Sequence, residues 1–101
     1  MSKLFAIVTR DKPDSQPIRM ANLKEHLAHI EASLDRLALA GPLRDADGNF
    51  TGSLLVLKAD SEAEARALLE TDPYFSAGVW SDIAINELNA AAGEWVGGKN
   101  W

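Results

Sequence analysis

Leu23, Leu27, Ile30, Leu34 and Leu37 recur at alternating spacings of four and three residues. At about 100° per residue these positions stack into one apolar stripe, which predicts a long amphipathic helix running through all five. Such a helix must lay its stripe on another element, and the segments around it read as strands. Lys3–Thr9 holds five successive apolar residues, Leu4 to Val8, as a central strand covered on both faces does. Thr51–Lys58 carries Leu54 to Leu57 at its middle and predicts another strand. In the last stretch Val79, Ser81, Ile83 and Ile85 alternate with Trp80, Asp82, Ala84 and Asn86, the period of a half-buried strand.

The punctuation between these runs is equally specific. Arg10–Pro17 contains two prolines, two aspartates and a serine, which predicts a loop leaving the first strand. Gly41-Pro42 cannot continue the leucine helix, and Leu37–Ala40 just before it is suited to a short edge strand. Asp45-Ala46-Asp47-Gly48-Asn49 predicts the turn of a hairpin. Ser61 and Glu64 have capping-box spacing, opening a second, shorter helix to Leu69 that Asp72-Pro73-Tyr74 closes. The Ala- and Gly-rich tail after Leu88 receives no regular structure, and its Trp95 and Trp101 read as packing anchors or an intersubunit contact.

The resulting order is βαββαβ, an α+β ferredoxin-like fold with two helices on one face of an antiparallel sheet. The opposite face then needs cover from water, and a second copy of the sheet supplies it, so self-association as a dimer or higher is expected. The 101 residues suit one domain spanning 1–101, with 88–101 as a tail. Ten Lys plus Arg against fifteen Asp plus Glu leave a net charge of -5 and no basic field for nucleic acid. The absence of cysteine removes disulfides, thiolate metal sites and a cysteine nucleophile. Apolar runs of a few residues fall far short of the roughly 20 of a spanning helix, so no membrane partner is expected. The N-terminal run reads as a strand and not as a signal peptide, which predicts a cytoplasmic protein. No linker or second domain is evident, which weighs against a dimerisation module fused to a regulator.

The two histidines lie on the leucine helix. Relative to Leu23, His26 stands about 60° from the stripe and His29 about 120°, so His26 borders the buried face and His29 is expected in solvent. Arg19, seven residues before His26, faces the same region. His-x-x-His spacing suits a metal only with a third ligand, and neither cysteine nor an HExxH pattern supplies one, so no metal is expected. Asp72 stands before a proline in the loop between helix and strand, a position suited either to function or to a simple turn cap, and Asp11 is ambiguous in the same way. Ser53, Ser76 and Tyr74 offer hydroxyls, but there is no nucleophile elbow. The glycines are dispersed, so no nucleotide cofactor is indicated.

Several segments resemble, in order, the YciI-like (YCII-related) family. They are Asp11-Lys12-x-Asp14-Ser15 with Arg19, His26-Leu27, Ala40-Gly41-Pro42, Phe50-Thr51-Gly52-Ser53, Asp72-Pro73-Tyr74 and Ala77-Gly78-Val79, covering nearly the whole chain. The resemblance implies a dimeric α+β barrel and an active site centred on His26 and Asp72. Arg19, Asp11, Ser53, Tyr74 and Ser76 then become substrate-binding candidates in the same pocket. It further implies cofactor-free acid–base chemistry on a small hydroxylated aromatic substrate: dehydrochlorination of a chlorinated hydroxyhydroquinone, or tautomerisation. Imidazole accepts and returns protons near neutral pH, a carboxylate beside it fixes its tautomer, and Arg19 would hold a developing oxyanion. The alternative is a non-catalytic small-ligand or interaction module on the same scaffold, with His26 as a polar wall.

Overall fold

The computed structural model describes residues 3–101. Strand β1 (Lys3–Asp11) leads into helices α1 (Gln16–Ala21) and α2 (Leu23–Ala32) and a 3-10 turn at Leu34–Arg36. Strands β2 (Leu37–Arg44) and β3 (Phe50–Ala59) form a hairpin, followed by α3 (Glu62–Glu70), α4 (Pro73–Ala77) and β4 (Trp80–Leu88). A small hairpin of β5 (Ala92–Gly93) and β6 (Gly98–Lys99) ends the chain. The main sheet is antiparallel with order β2-β3-β1-β4, so β1 is central as expected and the topology is ferredoxin-like.

Strand alternation decides which residues meet the helices. Phe5, Ile7 and Thr9 of β1 lie opposite Leu57, Leu55 and Ser53 of β3, and all six are buried. Ile7, Leu55 and Leu57 form the core with Leu69 of α3, Tyr74 of α4, Val79 and Trp80. Beside them Phe5, Ala59 and Ala65 of α3 form a second cluster. Both crossovers therefore cover the same face. On the other face Leu4, Ala6, Val8 and Leu54 are half-buried and Val56 is buried, and among the described residues the core clusters that hold α3 and α4 include none of these five.

A register shift between Arg10 and Asp11 pairs Arg10 with Asp82 but Asp11 with Trp80. Strict alternation would put Val79 and Trp80 on opposite faces, whereas both are buried in the core. The bulge, which inserts Ser81 between the paired Trp80 and Asp82, turns Trp80 inward, and Val79 lies before the strand, directly after Gly78 in its left-handed conformation.

Other expectations change in detail. The loop predicted over Arg10–Pro17 shrinks, since β1 reaches Asp11 and α1 starts at Gln16. Pro17 sits in the first turn of α1, where its missing N–H leaves no helix bond unmade. The single long helix is divided at Asn22, whose backbone N–H and side-chain Nδ2 both donate to the Ile18 carbonyl, at 3.1 and 2.9 Å. Leu34 lies in the 3-10 turn, and Leu37 already opens β2, the edge strand. The face of α2 turned inward carries His26, His29 and Ile30, while Leu27 is 54% exposed. His29, expected in solvent, is therefore half-buried.

Ser61 does cap α3, its Oγ accepting from the Glu64 N–H at 3.1 Å, but Glu64 reaches back to the N–H of Asp60. Asp72-Pro73-Tyr74 ends α3 and also begins α4, with Asp72 as its cap. Trp95 and Trp101 are 83% and 78% exposed, so they do not anchor packing within their own chain. No helix among the described residues is long and apolar enough to cross a membrane.

Candidate active site

The helix-facing rows of the sheet change character along their length. Phe5, Ile7, Leu55 and Leu57 give way to Thr9, Asp11 and Ser53 toward the C-terminal end of β1, and this polar end lies beneath α1 and α2. Close approach of the strands shapes it. A Cβ on Gly52 would stand 1.9 Å from the Thr9 carbonyl oxygen, and the Ser53 N–H donates at 3.0 Å to the Thr9 hydroxyl. The carbonyl of Gly52 then accepts from Arg19 Nη2 at 3.2 Å.

Arg19 is buried on α1, held by Asp11 through Nε to Oδ2 at 3.0 Å and Nη2 to Oδ1 at 3.2 Å. Nη2 also reaches Ser53 Oγ at 3.3 Å. The guanidinium carbon lies 5.0 Å from the Tyr74 ring centroid and 5.1 Å from that of Phe50. This fork is therefore fixed by a carboxylate, a carbonyl, a hydroxyl and two aromatic rings.

Asp72 is 2% exposed. Its Oδ1 accepts twice, from the Tyr74 N–H at 2.9 Å as the cap of α4 and from His26 Nδ1 at 2.8 Å. A carboxylate only accepts, so in the neutral imidazole Nδ1 carries the hydrogen and the lone pair is on Nε2. The His26 ring stacks on Tyr74 with centroids 3.8 Å apart and planes 4° from parallel. Tyr74 is fully buried, donates its hydroxyl to the Arg19 carbonyl at 3.2 Å and meets Trp80 edge-on at 6.2 Å. Burial pushes its phenol above the usual value against the opposing pull of the Arg19 charge, so the ring remains a neutral donor.

These groups border a cavity of about 260 Å³. Arg19, His26, Ser53 and Tyr74 line it together, with Phe50, Leu55 and Trp80 at their side. Met20, Leu23, Leu27 and Ile30 from the helices and Ala40, Gly41 and Pro42 from β2 complete the wall. Leu23, Leu27 and Ile30 of the predicted stripe therefore face this space, whereas Leu34 is 61% exposed and Leu37 packs on the core.

Of the residues singled out from the sequence, His26 and Asp72 meet, and Arg19, Ser53 and Tyr74 join them at the cavity. Asp11 stands behind Arg19 and is absent from the lining. Ser76 does not come to the cavity: it is exposed, and its hydroxyl donates to the Pro73 carbonyl at 3.1 Å. Two residues along a helix turn through about 200°, so Ser76 and Tyr74 face opposite ways. Phe50, Trp80 and the α1–α2 leucines escaped the sequence reading as cavity residues. A tryptophan directly after Gly78-Val79 is a signal for Trp80, but its inward direction depends on the bulge. His29 lines a separate pocket of about 30 Å³ that also touches Asp72.

A YCII-related domain, compared as a family model, matches residues 3–89. The chain belongs to the YCII-related family. The protein YciI of Escherichia coli is 34% identical over 90 residues, which cover 81% of this chain and 92% of YciI, and the Shigella flexneri YciI matches equally. Among solved structures, 5-chloro-2-hydroxyhydroquinone dehydrochlorinase (TftG) from Burkholderia phenoliruptrix, in complex with 2,5-dihydroxybenzoquinone, superposes with a TM-score of 0.79. It is 30% identical, over 90% of this chain and 96% of TftG. A Nitrosomonas europaea protein of unknown function, 21% identical with a TM-score of 0.52 over 90% of this chain and 93% of its own, shares the fold. The YCII-related match ends before the β5–β6 hairpin, which makes the exposed tryptophans additions to the shared domain.

Proposed function

We propose that this chain is an acid–base enzyme acting on a hydroxylated aromatic ring, with dehydrochlorination or tautomerisation of a chlorinated hydroxyhydroquinone as its reaction. One observation carries the reading: buried Asp72 holds Nδ1 of His26, which leaves Nε2 as the nitrogen for a substrate in the cavity. The likeness to a dehydrochlorinase over nearly the whole chain supports the reaction type.

In this reading Nε2 takes a phenolic proton, and the electron pair moves into the ring. The imidazolium returns a proton to the chlorine-bearing carbon, giving a keto tautomer. Loss of a proton from a second hydroxyl then expels chloride with the C–Cl electron pair. The ring reaches the quinone level as HCl leaves, and no external oxidant enters the balance. Asp72 steadies the imidazolium between the steps. Arg19 faces the developing oxyanion, and Ser53, which accepts from Arg19, keeps its own hydroxyl hydrogen to donate.

The test is chloride release and ultraviolet absorbance, followed anaerobically on chlorinated and unchlorinated hydroxyhydroquinones. The wild type is expected to release chloride, and His26→Ala to lose about 10²–10⁴-fold in rate with an unchanged circular dichroism spectrum. Wild-type turnover by His26→Ala overturns the base assignment, and no turnover by either overturns the substrate. The half-buried apolar face of the sheet supports a second proposal, that the chain works as a dimer through that face, in the manner of a dimeric α+β barrel.

A further inference from the structure

We propose that the substrate class of this site is a neutral phenol or enol carrying an apolar substituent, with its oxygen at His26 and its substituent along the leucines of α1 and α2. The proposal rests on the reading of His26 as the reacting end and deepens it, because beyond Arg19, His26, Ser53 and Tyr74 the cavity is lined mostly by apolar side chains. His26, Tyr74, Arg19 and Ser53 form one connected cluster, since His26 stacks on Tyr74, Tyr74 bonds the Arg19 backbone, and Arg19 bonds Ser53, while the buried indole N–H of Trp80 has no partner. Met20, Leu23 and Leu27 line the same cavity while 57%, 37% and 54% exposed. With Ala40 and Pro42 of β2 they make up an apolar part of the lining that reaches solvent. Methylene and methyl surface there gains only from contact with apolar matter, and a substrate reaching from His26 toward that part of the lining supplies it.

Charge points to a neutral head. Arg19 shares its charge with Asp11, enough for an oxyanion that develops only during reaction, and Asp72 adds a second carboxylate beside the histidine. Arg44, 5.0 Å from the Phe50 ring, does not line the cavity. Among the described residues the cavity lining holds no second cation to balance a substrate carboxylate, whereas a phenol brings a proton for Nε2 and no charge to desolvate. At about 260 Å³ the space approaches the roughly 300–1,000 Å³ of sites for drug-sized molecules, more than one small ring occupies.

Calorimetric titration with phenol, 4-ethylphenol, 4-butylphenol and 4-butylbenzoate tests this without turnover. Affinity is expected to rise roughly threefold to fourfold per methylene from phenol upward. 4-Butylbenzoate is expected to bind at least about tenfold more weakly than 4-butylphenol. Leu27→Ser should shrink the ratio of 4-butylphenol to phenol affinity at least about threefold, and the length dependence should survive in His26→Ala. Affinity independent of chain length overturns the proposal and assigns the leucines to a second copy or another protein. Tighter binding of the benzoate overturns it as well. Length dependence together with full turnover by His26→Ala would remove the acid–base reading alone. Its absence, with turnover lost in His26→Ala, would remove the substrate class alone.

Discussion

A single carboxylate oxygen sets the state of the site. Asp72 Oδ1 accepts from both the Tyr74 N–H and His26 Nδ1, so the group that caps α4 also dictates which imidazole nitrogen is free. Asp72→Asn presents an amide that can donate to Nδ1 and shift the ring hydrogen to Nε2. The expected outcome is a fall in kcat of about 10²–10⁴-fold with the fold retained, checked by steady-state kinetics beside nitrogen NMR of the imidazole tautomer. Tyr74, the one tyrosine of the chain, lends itself to a pH test. Burial raises its phenol above the ordinary value near 10, so above that pH the folded chain keeps a proton that the unfolded chain has lost. Below pH 10 both states hold the proton and it adds no pH dependence. As pH rises beyond 10, its contribution falls by about 1.4 kcal/mol per unit until the folded phenol ionises too. Urea titrations from pH 9 to 11 should show that fall as the difference between wild type and Tyr74→Phe, and phenolate absorbance reports this residue alone.

At the scale of elements, periodicity located the pieces and misjudged how one of them is turned. The stripe of Leu23, Leu27 and Ile30 has helical spacing and is helical, but α2 rolls so that His26 and Ile30 face inward and the leucines border the cavity. Spacing reports that residues share a face, and the neighbours decide what that face meets. Here the neighbours are the Asp72 carboxylate and the Tyr74 ring, brought from 46 and 48 residues away in the chain. The β1–β3 pair adds a constraint at one glycine. Gly52→Ala would drive a methyl group into the Thr9 carbonyl, and backbone on both sides leaves no flexible neighbour to yield. We expect a loss of about 3 kcal/mol, lowering the melting temperature by roughly 12 °C or more by differential scanning calorimetry, with Arg19 losing its carbonyl acceptor.

For the whole molecule, the open sheet face carries the main prediction. Val8 sits at its centre, in register with Leu54 on one side and Ala84 on the other. Val8→Glu introduces a charge that a sheet-to-sheet interface has to desolvate, and sedimentation velocity at micromolar concentration is expected to turn a dimer into an 11-kilodalton species. A wild type already monomeric at that concentration would remove the dimer proposal. The four strands of the main sheet, the hairpin between the middle two and the ferredoxin-like order were determined by the sequence alone, because apolar period and turn chemistry are local and survive in any context, whereas the break at Asn22, the short α4 and the terminal β5–β6 hairpin were not. The sequence alone also determined the candidacy of His26 with Asp72, through ordered short motifs. The contact of that pair, the inward turn of Trp80, the outward turn of Ser76 and the conversion of a leucine stripe into a cavity wall were decided only by tertiary structure. Each depends on a bulge, a helix roll or a hydrogen bond between residues distant in the chain, and local spacing carries no information about those.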